Sequence, residues 1–314
     1  MIISASRRTD IPTYYSNWFF NRVMDGYVLV RNPMNAHQIS KIALNPDVVD
    51  GIVFWTKNPI PMLNELKILH DYMYYFQFTL NSYAQDVEAH VPNKQKHIIP
   101  AFKKLSDMIG PDRVIWRYDP IFLNDTYTPE YHIRYFERIA KELSPYTKKC
   151  TISFIDFYRN TSKNVSGLSL RDFPEETQKS LAKELAAIAH SYGLLIDTCA
   201  EGIELQEYGI EHARCIDDRL LSKLLECPLD IGKDKSQRLE CGCIESIDIG
   251  AYNSCRNGCK YCYANYSEKT VRSNFAKHIP DSPLLFGEVG SDDKITERKV
   301  MSCKINQIRF DIEL

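Results

Sequence analysis

Arg113 to Pro120 reads RVIWRYDP, and these eight residues carry the pattern that decides the fold. An apolar, aromatic-rich run without alternation suits a strand buried on both faces, as in a parallel sheet. It ends in a polar group, Arg117-Tyr118-Asp119-Pro120, and Pro129 to Leu143 follows with the length and pattern of a helix. Working outward, the same order recurs. Apolar runs stand at Ile2 to Ser6, Tyr27 to Arg31, Ile52 to Thr56, Tyr74 to Leu80, Cys150 to Ile155 and Leu194 to Thr198. Helical segments are expected at Tyr14 to Asp25, Pro61 to Tyr72, Lys94 to Ile109 and Pro174 to Tyr192. Such alternation predicts an α/β fold, a (β/α) TIM-like barrel, complete or partial.

Each run ends in functional groups: Arg7-Arg8-Thr9-Asp10, Arg31-Asn32-Pro33, Thr56-Lys57-Asn58-Pro59, Thr79-Leu80-Asn81, Arg117-Tyr118-Asp119-Pro120, Asp156 with Tyr158, and Cys199-Ala200-Glu201. In parallel strands these clusters converge on the C-terminal rim, where a ligand can meet them. Any one of them can serve as a helix cap. Taken together they hold more charge than capping needs.

Beyond Glu201 the pattern weakens. Short helices are expected at Ile203 to Tyr208 and Asp218 to Glu226, around a short strand near Ala213 to Ile216. Ile244 to Ile249 alternates like a strand, and Ile305 to Leu314 reads as a late edge strand. We therefore divide the chain into a β/α body, residues 1–240, and a cysteine-rich segment, residues 241–314, packed on the rim.

That segment contains Cys255, Cys259 and Cys262 in the pattern C-x3-C-x2-C. Three thiolates at this spacing can hold three corners of a [4Fe-4S] cluster and leave the fourth iron open to a ligand. A structural zinc with Cys241 or Cys243 as fourth ligand is the alternative. Cys199, Cys215, Cys241 and Cys243 number the ligands of a second metal site, iron-sulfur or zinc. The competing reading takes Cys199 and Cys215 as small buried apolar residues.

The stretch Tyr252 to Asn265, YNSCRNGCKYCYAN, with Tyr261 in the aromatic slot before the last cysteine, resembles the cluster loop of radical S-adenosylmethionine (SAM) enzymes. Within that group it is closest to the loop of spore photoproduct lyase and related repair proteins. The whole chain also looks like an uncharacterised bacterial family, of unknown function, that pairs a barrel-like body with this loop. Radical-SAM enzymes commonly carry the loop after their first strand. Here it comes late, so the resemblance implies a circularly permuted barrel. It also implies SAM bound at a [4Fe-4S] cluster, a 5'-deoxyadenosyl radical, and an electron donor such as flavodoxin or ferredoxin. Under it, Lys57, Arg117, Asp119 and Glu201 are candidates for holding the cofactor, and Arg7, Arg8, Asp10 and Asn81 for a small-molecule or modified-nucleotide substrate. Tyr118, Tyr158 and Cys199 are candidates for the final hydrogen transfer. Two other classes remain open: a metal-stabilised acid-base enzyme without SAM, and a redox or nucleic-acid-binding module.

Composition narrows the field. The hydrophobic share of 44% and charged share of 25% over 314 residues are those of a globular protein able to bury its own core. A net charge of -2 does not support a general nucleic-acid footprint. No run of 18 apolar residues occurs and Met1-Ile2-Ile3 leads into polar residues, so a cytoplasmic location with no membrane partner is expected. No P-loop, G-x-G-x-x-G or G-x-S-x-G motif is present, and the eight histidines show no metal-binding pairing.

Overall fold

The computed structural model describes residues 1–157 and 159–305. In chain order its strands are β1 (Ile2–Ala5), β2 (Tyr27–Asn32), β3 (Asn35–Ala43), β4 (Gly51–Thr56), β5 (Tyr74–Thr79), β6 (Val114–Ile121), β7 (Lys149–Phe154), β8 (Leu195–Thr198), β9 (Glu211–His212), β10 (Ile247–Asp248) and β11 (Lys294–Glu297). The helices are α1 (Ile11–Tyr14), α2 (Ser16–Met24), α3 (Ile60–Leu63), α4 (Ile99–Ile109), α5 (Pro129–Leu143), α6 (Arg159–Asn164), α7 (Glu175–Ser191), α8 (Asp218–Leu225) and α9 (Glu268–Phe275).

Eight strands form one sheet in the order β10-β1-β4-β5-β6-β7-β8-β9, every neighbouring pair parallel. The fold is thus mixed α/β around a large parallel sheet. Among the described residues the edge strands β10 and β9 do not pair with each other. The boundaries of α5 and α7 follow the expected signals, whereas Pro61 to Tyr72 is not one helix but the short α3 and a 3-10 turn at Leu66–Leu69. Thr128 caps α5 by accepting from the Tyr131 N–H at 3.3 Å, with Pro129 at its first position.

The lack of alternation in the strands has its cause in two covered faces. Ile3, Phe54, Phe76, Trp116 and Ile152 pack against helical residues such as Phe19, Phe102, Phe136 and Leu185. On the other face Ile2, Val53, Tyr75 and Ile115 pack against Ile216, Leu221, Cys243 and Ile244, from the segment between β9 and β10 that includes α8. The same face carries buried polar groups, among them Gln77, Arg117 and Asp197.

Three further expectations are corrected. Tyr27 to Arg31 is not part of the main sheet. It pairs antiparallel with β3, in a three-stranded sheet completed by β11, because Asn32 to Asn35 turns the chain back on itself before any helix can intervene. Arg31 therefore leaves the rim and pairs with Asp293 at 2.8 and 2.9 Å. The pairing expected near Ala213 to Ile216 falls instead at β9, and only Gln206–Tyr208 is helical, as a 3-10 turn, within Ile203 to Tyr208. A strand, β11, precedes the segment Ile305 to Leu314 for which a late edge strand is expected. Ile305 lies outside any strand, and the remainder of Ile305 to Leu314 lies outside the described residues.

Tyr118 occupies the helix-facing side of β6, 1% exposed, and so stands away from the rim where a hydrogen donor was expected. Its hydroxyl meets His132 Nδ1 at 2.8 Å, while His132 Nε2 lies 2.9 Å from the Phe122 carbonyl. A carbonyl only accepts, so Nε2 carries the proton and Nδ1 accepts from Tyr118. Burial holds the imidazole down to about 4, against 6.5 when exposed. Between those values the unfolded chain binds a proton that the native chain does not. Stability is fully present above pH 6.5 and is expected to fall by about 3 kcal/mol as pH drops to 4. A His132→Gln variant should show a correspondingly shallower pH dependence in urea unfolding. An imidazole that titrates near 6.5 by NMR would contradict this.

Candidate functional site

All eight parallel strands end on one side, and a cavity of about 620 Å³ opens there. Its wall includes Arg7, Arg8 and Asp10 after β1, Trp55 and Lys57 at β4, Arg117 and Asp119 at β6, Ser153 to Asp156 at β7, and Cys199 after β8. The loop following β10 completes the wall with Cys255, Cys259 and Cys262. The strand that leads into this loop is the one paired with β1, through Ile3–Ile247 and Ser4–Asp248. A larger cavity of about 880 Å³ shares Arg7 and Arg8 but contains, of the cysteines, only Cys303, so the loop thiols line the smaller one.

The cysteine loop is held from three directions. Asp10 is buried at the centre of the first. It accepts from Thr56 Oγ1 at 2.8 Å, the Lys57 N–H at 2.9 Å and Asn257 Nδ2 at 2.9 Å. Burial pushes the Asp10 carboxyl up, against the pull of these donors. The second hold is an antiparallel bridge between Glu88 and Cys259, with His90 N–H donating to the Asn257 carbonyl at 3.0 Å. Gly258 between them has φ +67°, and a Cβ there would stand 2.9 Å from His90. The third is Asn164 of α6, whose amide donates to the Cys262 and Asn265 carbonyls at 2.8 and 3.0 Å.

Beside the loop lies a buried charge cluster. Lys57 Nζ is 2.8 Å from Glu88 Oε1 and Lys94 Nζ is 2.5 Å from Oε2, while the Tyr261 hydroxyl also donates to Glu88. Burial alone would raise the Glu88 carboxyl, but the two ammonium groups bring it down to about 2. Lys57 is itself raised, because Glu88 and the nearby Cys259 sulfur outweigh burial. Burial pushes all three loop thiols up, Cys259 to about 12.

Arg117 and Asp119 serve the opposite wall. Arg117 Nε donates to Asp119 at 2.9 Å, and Nη1 reaches Cys215 Sγ at 3.0 Å and Gln77 Oε1 at 3.3 Å. Ser153 donates to the other Asp119 oxygen. Cys199 Sγ stands 3.0 Å from Cys215 Sγ, and Cys241 and Cys243 adjoin them on the same wall. Thiol donation from Cys199 and Cys243, followed by Arg117, lowers Cys215 well below the ordinary thiol value.

Glu201 stands behind this wall. Its Oε1 accepts from the Phe154 N–H at 2.8 Å, and burial followed by Asp156 and Asp119 raises its carboxyl to about 7. Asn81 is 1% exposed and braces the Asp119 backbone in both directions, at 2.7 and 2.8 Å. Arg8 lies over the Tyr252 ring at 5.1 Å, and Arg7 over Trp55 at 5.5 Å. Tyr158 lies outside the described residues.

The structure thus brings Lys57, Arg7, Arg8, Asp10, Arg117, Asp119, Cys199 and the three loop cysteines to one cavity. Sequence reasoning missed Glu88, Lys94 and Asn257, which hold the loop. Their signal is absent because Glu88 and Asn257 act through contacts distant in sequence, and Lys94 reaches the loop by way of Glu88. Among the described residues, no three or more His, Cys, Asp or Glu side chains stand ready around a single ion position. Nor is any helix long and apolar enough to cross a membrane.

No curated protein and no solved structure matches the chain. A family model, the domain of unknown function DUF1848, matches residues 2–264, a span that contains the whole parallel sheet and the Cys255–Cys262 loop. The chain therefore belongs to the DUF1848 family, which is uncharacterised.

Proposed function

We propose that the chain is a radical-SAM-like enzyme, with a [4Fe-4S] cluster on Cys255, Cys259 and Cys262 and SAM at the open iron. One observation carries the reading: three thiols of a C-x3-C-x2-C loop line a cavity together with Lys57, Arg117 and Asp119. The donor set suits iron-sulfur chemistry, and the cavity is of a size that takes a small-molecule cofactor. When bound, the cluster and SAM supply a 5'-deoxyadenosyl radical.

The chain's own residues do the positioning. Lys57, fixed by Glu88 beside Cys259, supplies positive charge for a carboxylate entering near the loop. Arg8, stacked on Tyr252 at the cavity wall, is available to an anionic substrate group. Asp10 positions the loop by way of Asn257. Asp119, locked between Arg117 and Ser153, is placed to order polar groups of a ligand.

The parallel pairing of β10 with β1, leading directly into the cysteine loop, supports a permuted barrel architecture. Ten free cysteines fit a reducing compartment, hence a cytoplasmic protein supplied with electrons by a flavodoxin or ferredoxin. Anaerobic reconstitution, reduction and incubation with SAM should release 5'-deoxyadenosine in a Cys255-dependent manner. Reconstituted protein that carries iron but releases none would favour an acid-base enzyme without SAM.

A further inference from the structure

We propose that Cys199, Cys215, Cys241 and Cys243 form a tetrathiolate site for a single tetrahedral cation of the zinc class, separate from the Cys255–Cys262 loop. The four thiols come from three segments: the end of β8, the stretch after β9, and the turn before β10. Cys199 and Cys215 are in contact at 3.0 Å, and Cys215, Cys241 and Cys243 share one buried cluster against which Cys199 packs. The arrangement does not depend on the reading given above for the loop.

Spacing decides the nuclearity. Zinc-sulfur bonds of about 2.3 Å in a tetrahedron place sulfurs roughly 3.8 Å apart. The Cys199 and Cys215 sulfurs stand closer than this, at 3.0 Å, and opening that pair by less than about 1 Å gives the spacing of two ligands on one ion. A cubane spreads its four outer sulfurs much further and would require all three segments to be rebuilt.

Charge agrees. Binding forms four metal-sulfur bonds as each thiol releases its proton, and four thiolates with a divalent ion carry two net negative charges. Two guanidinium groups face the site. Arg117 Nη1 is already 3.0 Å from Cys215 Sγ. Arg7 lies close enough to Cys215, Cys241 and Cys243 to feel their charge, and its Nη2 is out of solvent without a hydrogen-bond partner. The Ile216 N–H points at Cys243 Sγ from 3.4 Å, a backbone donor of the kind that supports metal-bound thiolates. Such an ion would fasten the segment covering the sheet to β8, close to the strand that presents the cluster loop.

The test uses the full chain with Cys255, Cys259 and Cys262 all changed to alanine, grown with zinc and purified without oxygen. About one zinc per chain is expected to remain, and cobalt in its place should give the visible spectrum of a tetrahedral thiolate complex. Adding Cys199→Ser or Cys243→Ser should remove the metal, whereas Cys303→Ser should not. No metal in the triple variant, iron with acid-labile sulfide there, or zinc indifferent to both serine changes would overturn the proposal. If the serine variants do not fold, the cobalt spectrum of the triple variant decides alone. Because that variant lacks the loop thiols, its outcome is independent of whether SAM is used.

Discussion

Changing any one of Cys255, Cys259 or Cys262 to alanine is expected to take loop-bound iron and sulfide from about four of each per chain to near zero. Three protein thiolates are all that this loop offers, so losing one leaves two corners and an exposed cluster. The chain should still fold. The loop is anchored by Asp10, Asn164 and the Glu88 bridge, none of which uses a thiol. Iron and sulfide analysis beside circular dichroism reads both halves of the prediction. Cys303→Ala, at a part-exposed position outside the smaller cavity, should keep the full iron complement. Retention of iron in all three loop variants would remove the loop from the metal site.

Glu88→Ala should be the most destabilising single change at the site, by about 3–5 kcal/mol. Glu88 is 1% exposed and is the shared counter-charge of Lys57 and Lys94, so its removal leaves two largely buried ammonium groups without an anion. The Tyr261 hydroxyl loses its acceptor in the same change, loosening the loop beside Cys259 and Cys262. Urea unfolding measures the loss. A cost under about 1 kcal/mol would mean that the cluster behaves like an exposed ion pair.

How much of this could be read from residue order follows from the kind of contact involved. RVIWRYDP announced a buried strand with a polar end, and β6 is that strand. What the run could not announce was which side faces the cavity, because both faces are apolar and alternation is hidden. Arg117 turns inward to Cys215 while Tyr118 turns outward to His132. Pleating alone puts neighbours on opposite faces, so the pair could not both reach the cavity. Asn32 to Asn35 did carry a turn signal, and its weight was lost beside the apolar run before it. Glu88 had no signal at all: it sits in an irregular stretch and meets Lys57, 31 residues away, and Tyr261, 173 residues away. The three loop cysteines could be placed together because they are neighbours in sequence. The other four thiols could be counted, but only the packing of three distant segments brings their sulfurs together.

In the proposed function the three loop thiols hold an iron-sulfur cluster with one iron open to SAM. Electron paramagnetic resonance of the reduced, anaerobically reconstituted protein, recorded with and without SAM, addresses it most directly. A reduced-cluster signal whose shape changes on SAM addition, and which is absent from the Cys259→Ala variant, is the predicted result. A signal that SAM leaves unaltered, or a loop that takes up zinc when iron and sulfide are supplied, would contradict it.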